Sequence, residues 1–134
     1  MKVKEIASAI ERFAPLYLQE SYDNAGMQVD SVITGVVLCT DVRECIVDEA
    51  IACGANLIIS HHPLIFHGLK KLTGRNYVER TVLKAIRHGV SIYCAHTNLD
   101  NARGGVSYKM AEKLGMKNVE VLDPQVGTQR KIVV

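Results

Sequence analysis

Apolar positions along this chain alternate between helical spacing and short continuous runs. Val3, Ile6, Ile10 and Phe13 recur at helical spacing with Lys4, Glu5, Glu11 and Arg12 off that face, which predicts an amphipathic helix ended by Pro15. A polar turn, Glu20 to Gly26, follows. Gly35-Val36-Val37-Leu38-Cys39 then reads as a buried strand ending at Thr40-Asp41. Ile46, Val47, Ala50 and Ile51 mark a second helix, closed by Gly54. Leu57-Ile58-Ile59 is the next buried strand and runs into His61-His62-Pro63. After a connection from Pro63 to Gly74, Val78, Val82, Ala85 and Ile86 mark a third helix that Gly89 stops. Ser91 to Ala95 is a third strand, ending at His96-Thr97-Asn98-Leu99-Asp100. Gly104-Gly105 opens a helix through Val106, Met110, Ala111 and Leu114, capped by Gly115. Asn118 to Leu122 reads as a further strand, Pro124 to Gln129 as a linker, and Lys131 to Val134 as the start of another strand.

Apolar strands separated by helices predict an α/β fold: a mainly parallel sheet with helices on both faces, three layers in all. Right-handed crossovers place the three polar strand ends on one edge, the crevice where open α/β sheets bind ligands. At 134 residues the chain fits one compact unit. The pattern divides it into an α/β domain over residues 1–124 and a linker with the start of a further segment over 125–134.

Composition narrows the function classes. The chain is 48% hydrophobic and 22% charged, as a globular protein is, and its net charge of +2 comes from scattered residues. Neither a nucleic-acid stripe nor a polybasic membrane anchor is present. An anionic small substrate is compatible with this balance. The four cysteines, Cys39, Cys45, Cys53 and Cys94, form no CxxC pair, which excludes zinc-ribbon and thioredoxin readings. Cys39 and Cys94 fall inside strands, as small buried hydrophobes do. With no signal peptide and no apolar stretch near 18 residues, the expected compartment is the cytoplasm.

The chemistry concentrates in the two clusters that hold three of the five histidines. Imidazole and carboxylate are the ligand set of a hydrolytic transition metal. Neighbouring residues on a regular strand face opposite ways, so His61 and His62 share a site only where the strand breaks, and Pro63 supplies that break. Asp100 lies four residues past His96, beyond a Thr-Asn turn, and suits a bridge between two ions. Bridged ions about 3.5–4 Å apart activate water and clamp a phosphoryl or carbonyl oxygen. His96 reads as an acid or base, or as support for Asp100, in preference to a ligand. The plainer alternative is a histidine pair that only caps loops.

Other polar residues carry less. His88 sits in a last helical turn, where a cation suits the helix dipole. His67 lies in a loop with Lys70 and Lys71, a solvated basic surface. Asp41 either points into the crevice or caps the helix that follows. Gly104-Gly105 brings a helix start near the site, but forms no phosphate-binding motif.

Four segments together resemble one known family: Tyr22-Asp23-Asn24-Ala25-Gly26, Cys39-Thr40-Asp41-Val42, Ile58 to Phe66 with its His-His-Pro, and His96-Thr97-Asn98-Leu99-Asp100 followed by Gly104-Gly105. The chain resembles the Nif-three-like dinuclear metal-centre family, whose bacterial members are called GTP cyclohydrolase I type 2 homologues. The family usually has Trp where Tyr22 stands. The resemblance covers nearly the whole chain as the family's N-terminal half. It implies a Nif-three-like fold in which His61, His62 and Asp100 are metal ligands, Asp100 bridging, with His96 and Asn24 beside them. It also implies two divalent ions per complete site (zinc, iron or manganese) and a toroidal homo-oligomer, commonly a hexamer.

The family's second half carries a further His and Glu ligand. The chain ends at Val134, so it is expected to be a fragment or truncated form with partial or mononuclear occupancy and little activity by itself. Two functions from different classes follow: a metal-dependent hydrolase of a nucleotide or other anionic small molecule, or a non-catalytic metal-binding regulatory module that acts through protein contacts.

Overall fold

A computed structural model of the protein describes residues 3–30 and 33–122. Strands β1 (Gly26–Val29), β2 (Val36–Cys39), β3 (Leu57–Ser60) and β4 (Ser91–Cys94) form one sheet in the order β1-β4-β3-β2. The pairs β2–β3 and β3–β4 are parallel, as the pattern predicted. Their register aligns Cys39 with Ser60 and Ser60 with Cys94, so three strands end at one level. The helices are α1 (Val3–Phe13), α2 (Glu44–Ala52), α3 (Tyr77–Arg87), α4 (Thr97–Asn101) and α5 (Val106–Lys113).

Side chains alternate across the sheet, so β3 and β4 each feed two cores. Ile58 and Ile92 face α2 and α3, where they pack with Val47, Ala50, Val82 and Ala85. Leu57 and Tyr93 face the other way, against Ile6, Ala7 and Ile10 of α1. Each fully buried Ile or Leu contributes about 1.5–3 kcal/mol. The buried Tyr93 hydroxyl donates to Glu11 Oε1 at 3.2 Å, which ties α1 to the sheet, and burial pushes its pKa up. Helices α2 and α3 both end in a turn where the amide after the glycine bonds a carbonyl five residues back: Ala55 to Ala50 O and Val90 to Ala85 O. Gly54 and Gly89 supply the positive φ, 69° and 62°, that this turn needs.

The structure departs from the sequence pattern in several places. β2, expected as a buried strand, lies at the sheet edge with Val36 and Leu38 exposed, because among the described residues no further strand or helix covers that side of it. β1 was not foreseen: Gly26-Met27-Gln28-Val29 has no apolar run, and it pairs antiparallel to β4 with a bulge between Met27 and Val29. Asn118 to Leu122 forms no strand. Val119, Val121 and Leu122 are exposed, and without a partner edge a β-prone run has no ladder to join. The apolar positions of α5 are also mostly exposed, Met110 and Leu114 among them, with Ala111 buried. The expected linker and final strand, residues 125–134, lie outside the described residues.

Candidate metal centre

The β3 end is built to break. The ladder continues one step beyond the strands, through His61 N to Cys39 O (3.1 Å) and His62 N to Thr40 O (2.9 Å). The buried Ser60 hydroxyl then donates to His62 O at 2.9 Å, and the buried Cys94 thiol donates to His61 O at 3.1 Å. Burial pushes the Cys94 thiol up to about 12, so it stays protonated and can donate. Pro63 follows, and both imidazoles leave the strand on the same side.

The β4 end turns at once into α4. Asn98 is fully buried. Its Oδ1 accepts from His96 N at 3.0 Å and its Nδ2 donates to Ala14 O at 2.8 Å, so the turn is anchored to the end of α1. Sequence reading placed a Thr-Asn turn here; the structure makes it a helical turn, with Asp100 N donating to His96 O at 3.2 Å. Gly105 secures α5 against this turn. A Cβ there would stand 1.9 Å from Leu99 O, so the close backbone approach requires glycine. The helix start at Gly104-Gly105 therefore serves packing.

His61, His62 and His96 form a triangle with ring centroids 5.0, 5.2 and 5.5 Å apart. One ring nitrogen from each lies within 4.8 Å of the others. Each Nδ1 is engaged elsewhere, His61 with Ala95 O at 3.1 Å, His62 with Asp41 Oδ1 at 2.9 Å and His96 with Asp23 Oδ1 at 2.8 Å. That leaves Nε2 of each ring for a ligand, the arrangement in which metal-binding histidines are oriented. Asp100 Oδ1 is 3.8 Å from His61 Nε2. Three imidazoles, with a carboxylate beside one of them, are donors that fit a divalent transition ion.

Sequence reading had brought His61, His62, Asp100 and His96 to one edge. The structure groups His61, His62 and His96, and Asp100 stands beside this group through His61 alone. Asp41 resolves to the crevice: α2 starts after Arg43 with no side-chain cap, and the Asp41 carboxylate pairs with His62. His96 does not hold the Asp100 carboxylate; its ring partner is Asp23. His67 is exposed and packs on Phe66, centroids 4.9 Å apart, and His88 is the exposed C-cap of α3. Asn24 lies near the site and donates to Ile65 O at 2.6 Å, pinning the loop whose Phe66 ring stands 6.5 Å from His96. The far end of that loop is tied by Glu79, whose carboxylate accepts from the Thr73 amide, the Thr73 hydroxyl and the Arg75 amide.

Asp23 is the functional residue that sequence reading left out of the site. Its side chain has no exposed surface. It stands in the polar turn just before β1, and the antiparallel pairing of β1 with β4 carries that turn to the carboxyl edge, 73 residues from His96 in sequence. Burial alone would push the Asp23 carboxyl up. Hydrogen bonds from the Thr97 hydroxyl, His96, and the Asn24 and Thr97 amides outweigh it and hold the group below the ordinary carboxylate value.

Fold and site together define an α/β protein that gathers a histidine–carboxylate cluster at the carboxyl ends of its parallel strands. The Duf34/NIF3 (NGG1p interacting factor 3) family matches it over residues 1–134, and the chain belongs to that family. It is 41% identical over 133 residues to the GTP cyclohydrolase 1 type 2 homolog of Lactococcus lactis, covering 97% of this chain and 52% of that protein. It is similar to the crystal structure of a Bacillus cereus protein related to NIF3, with TM-score 0.83 and 42% identity over 91% of this chain and 34% of that one. It is also similar to reduced HcgD from Methanocaldococcus jannaschii, with TM-score 0.79 and 30% identity over 88% of this chain and 48% of that one. The chain spans about half or less of the length of these relatives.

Proposed function

We propose that this chain contributes the histidine-rich half of a dinuclear metal centre in a metal-dependent hydrolase of an anionic small molecule. The observation that carries the reading is the triangle of His61, His62 and His96, each ring held through Nδ1, with Asp100 Oδ1 3.8 Å from His61 Nε2. His61, His62 and Asp100 would hold the ions, with the Asp100 carboxylate shared between them in this reading. A divalent ion there supplies Lewis acidity toward a phosphoryl or carbonyl oxygen. Zinc, iron and manganese all suit these donors.

This chain's residues do the rest. His96 exchanges a proton at Nε2. Phe66 and Tyr22, with ring centroids 6.5 Å apart, supply an apolar wall beside His96. A small cleft beside His62 is lined by Arg43, Tyr77 and the Asp41 carboxylate, so it offers an anion one cation and one opposing charge. The four cysteines are all free, which supports a reducing compartment such as the cytoplasm. Among the described residues no helix is long and apolar enough to cross a membrane. A homo-oligomer, commonly a hexamer as the resemblance implies, belongs to the same reading.

A second reading is a metal-binding regulatory module that works through protein contacts. Its support is the exposed apolar pair Met110 and Leu114, four residues apart at the end of α5. Elemental analysis after purification tests the metal centre. We expect His62→Ala to lower metal content several-fold with the fold intact, because His62 is half exposed in a loop; unchanged metal stoichiometry would overturn the ligand assignment. Turnover of nucleotides or other phosphate esters that disappears with Asp100→Ala supports the hydrolase over the module.

A further inference from the structure

We infer that Asp23 is the positioning residue for His96: it fixes the ring in its Nδ1–H form and so turns an Nε2 lone pair toward His61 and His62. The inference rests on the metal-centre reading for what that lone pair serves, but the geometry behind it stands alone.

Both carboxylate oxygens of Asp23 are fully subscribed. Oδ1 accepts from Asn24 N at 2.7 Å and from His96 Nδ1 at 2.8 Å. Oδ2 accepts from Thr97 N at 3.1 Å and from the Thr97 hydroxyl in a short contact. The oxygen of that hydroxyl also accepts from Glu20 N at 2.9 Å, which leaves its O–H to be directed at the carboxylate. The network therefore has one direction. Glu20 N–H points at Thr97 Oγ1, Thr97 O–H points at Asp23, and the acceptor-only carboxylate demands a proton on His96 Nδ1. A neutral imidazole carries one N–H, so the other nitrogen must be the acceptor. With the Asp23 side chain sealed from solvent, water does not compete for any of these positions.

An Asp23→Asn change reverses the logic. An amide NH2 placed on the Thr97 side meets the fixed Thr97 amide donor and forces the Thr97 hydroxyl to give up its donated bond. Placed on the other side, it meets the Asn24 amide, also a fixed donor, and His96, which can answer by moving its proton to Nε2 and accepting at Nδ1. The expected result is a tautomer swap with the ring still in place.

The test is two-bond proton–nitrogen NMR on the 15N-labelled 134-residue chain without metal, well above the ordinary imidazole pKa. His96 in the wild type should show the Nδ1–H pattern. Asp23→Asn should shift the His96 tautomer ratio toward Nε2–H by about tenfold, the factor that one charge-assisted hydrogen bond supplies. Asp41→Asn, which touches only His62, should leave the His96 ratio unchanged. An Nε2–H pattern in the wild type overturns the inference without any variant, and so does an unshifted ratio in Asp23→Asn. Adding Zn2+ alone to the wild type then separates the two claims: if the His61 and His62 ring signals do not move, the metal-centre reading fails while the tautomer result still decides the role of Asp23.

Discussion

Two carboxylate–imidazole pairs flank the cluster with nearly the same bond length and different surroundings. Asp23–His96 spans 2.8 Å with side chains 0% and 17% exposed, whereas Asp41–His62 spans 2.9 Å with side chains 57% and 48% exposed. The buried carboxylate receives four hydrogen bonds, from two amides, a hydroxyl and a ring. Solvent screens the exposed pair, and such pairs contribute about 0–1 kcal/mol. A buried charge whose partners are all committed is costly to disturb, because each partner is left unpaired in a medium of low dielectric. The same chemical pair thus fixes His96 firmly and His62 loosely.

The sharpest way to break this contrast is Asp23→Ala. It leaves the Thr97 amide and hydroxyl, the Asn24 amide and the His96 ring without their acceptor, so it should destabilise the fold by about 3 kcal/mol or more. Urea denaturation monitored by circular dichroism measures this, and a loss under about 1 kcal/mol would show that the buried network is less committed than its geometry.

Acid reads the same carboxylate by titration. Asp23 is held below its ordinary value: burial raises it, and the hydrogen bonds from Thr97, His96 and Asn24 lower it more. Glu79 is also held low, first by the Thr73 amide, then by the Thr73 hydroxyl and the Arg75 and Gly74 amides. A folded-state pKa below the unfolded one contributes stability that is fully present above the unfolded carboxylate value and is lost as pH falls through the folded value. Stability should therefore drop on acidification below about pH 4, and the drop should be shallower in Glu79→Gln. Equal acid limbs in the two proteins would remove Glu79 from the account.

The smallest effect belongs to Asp41→Asn. The exposed pair should change stability by less than about 1 kcal/mol, measured by the same denaturation. A loss as large as that of Asp23→Ala would erase the distinction between the two pairs.

Much of this was legible in the chain. The runs at Leu57–Ile59 and Ser91–Ala95 are long and apolar enough to be buried parallel strands, and the residues that end them are the polar ones that meet in the crevice. That pattern places His61, His62, His96 and Asp100 at the ends of neighbouring strands, where the structure has them. Pro63 marked the break that lets adjacent histidines share a side. Asp23 did not follow. Its turn precedes a strand with a glycine, a glutamine and a bulge, and antiparallel pairing at a sheet edge leaves no local apolar period to read. The segment from Asn118 to Leu122 failed in the opposite sense, since its β propensity is real but a strand also needs an edge to pair with.

The sequence by itself determined the elements that depend on near neighbours: helices with a buried face, two central strands, glycine-terminated turns, and the histidines at strand ends. These are set by side-chain period and backbone preference, which act over a few residues. The tertiary structure alone decided which carboxylate orients which imidazole. Asp23 finds His96 across 73 residues and Asp41 finds His62 across 21, because sheet order and register bring those turns to one edge. Partner choice at such distances depends on how the strands pair, and burial then makes one of the two partnerships rigid and leaves the other open to water.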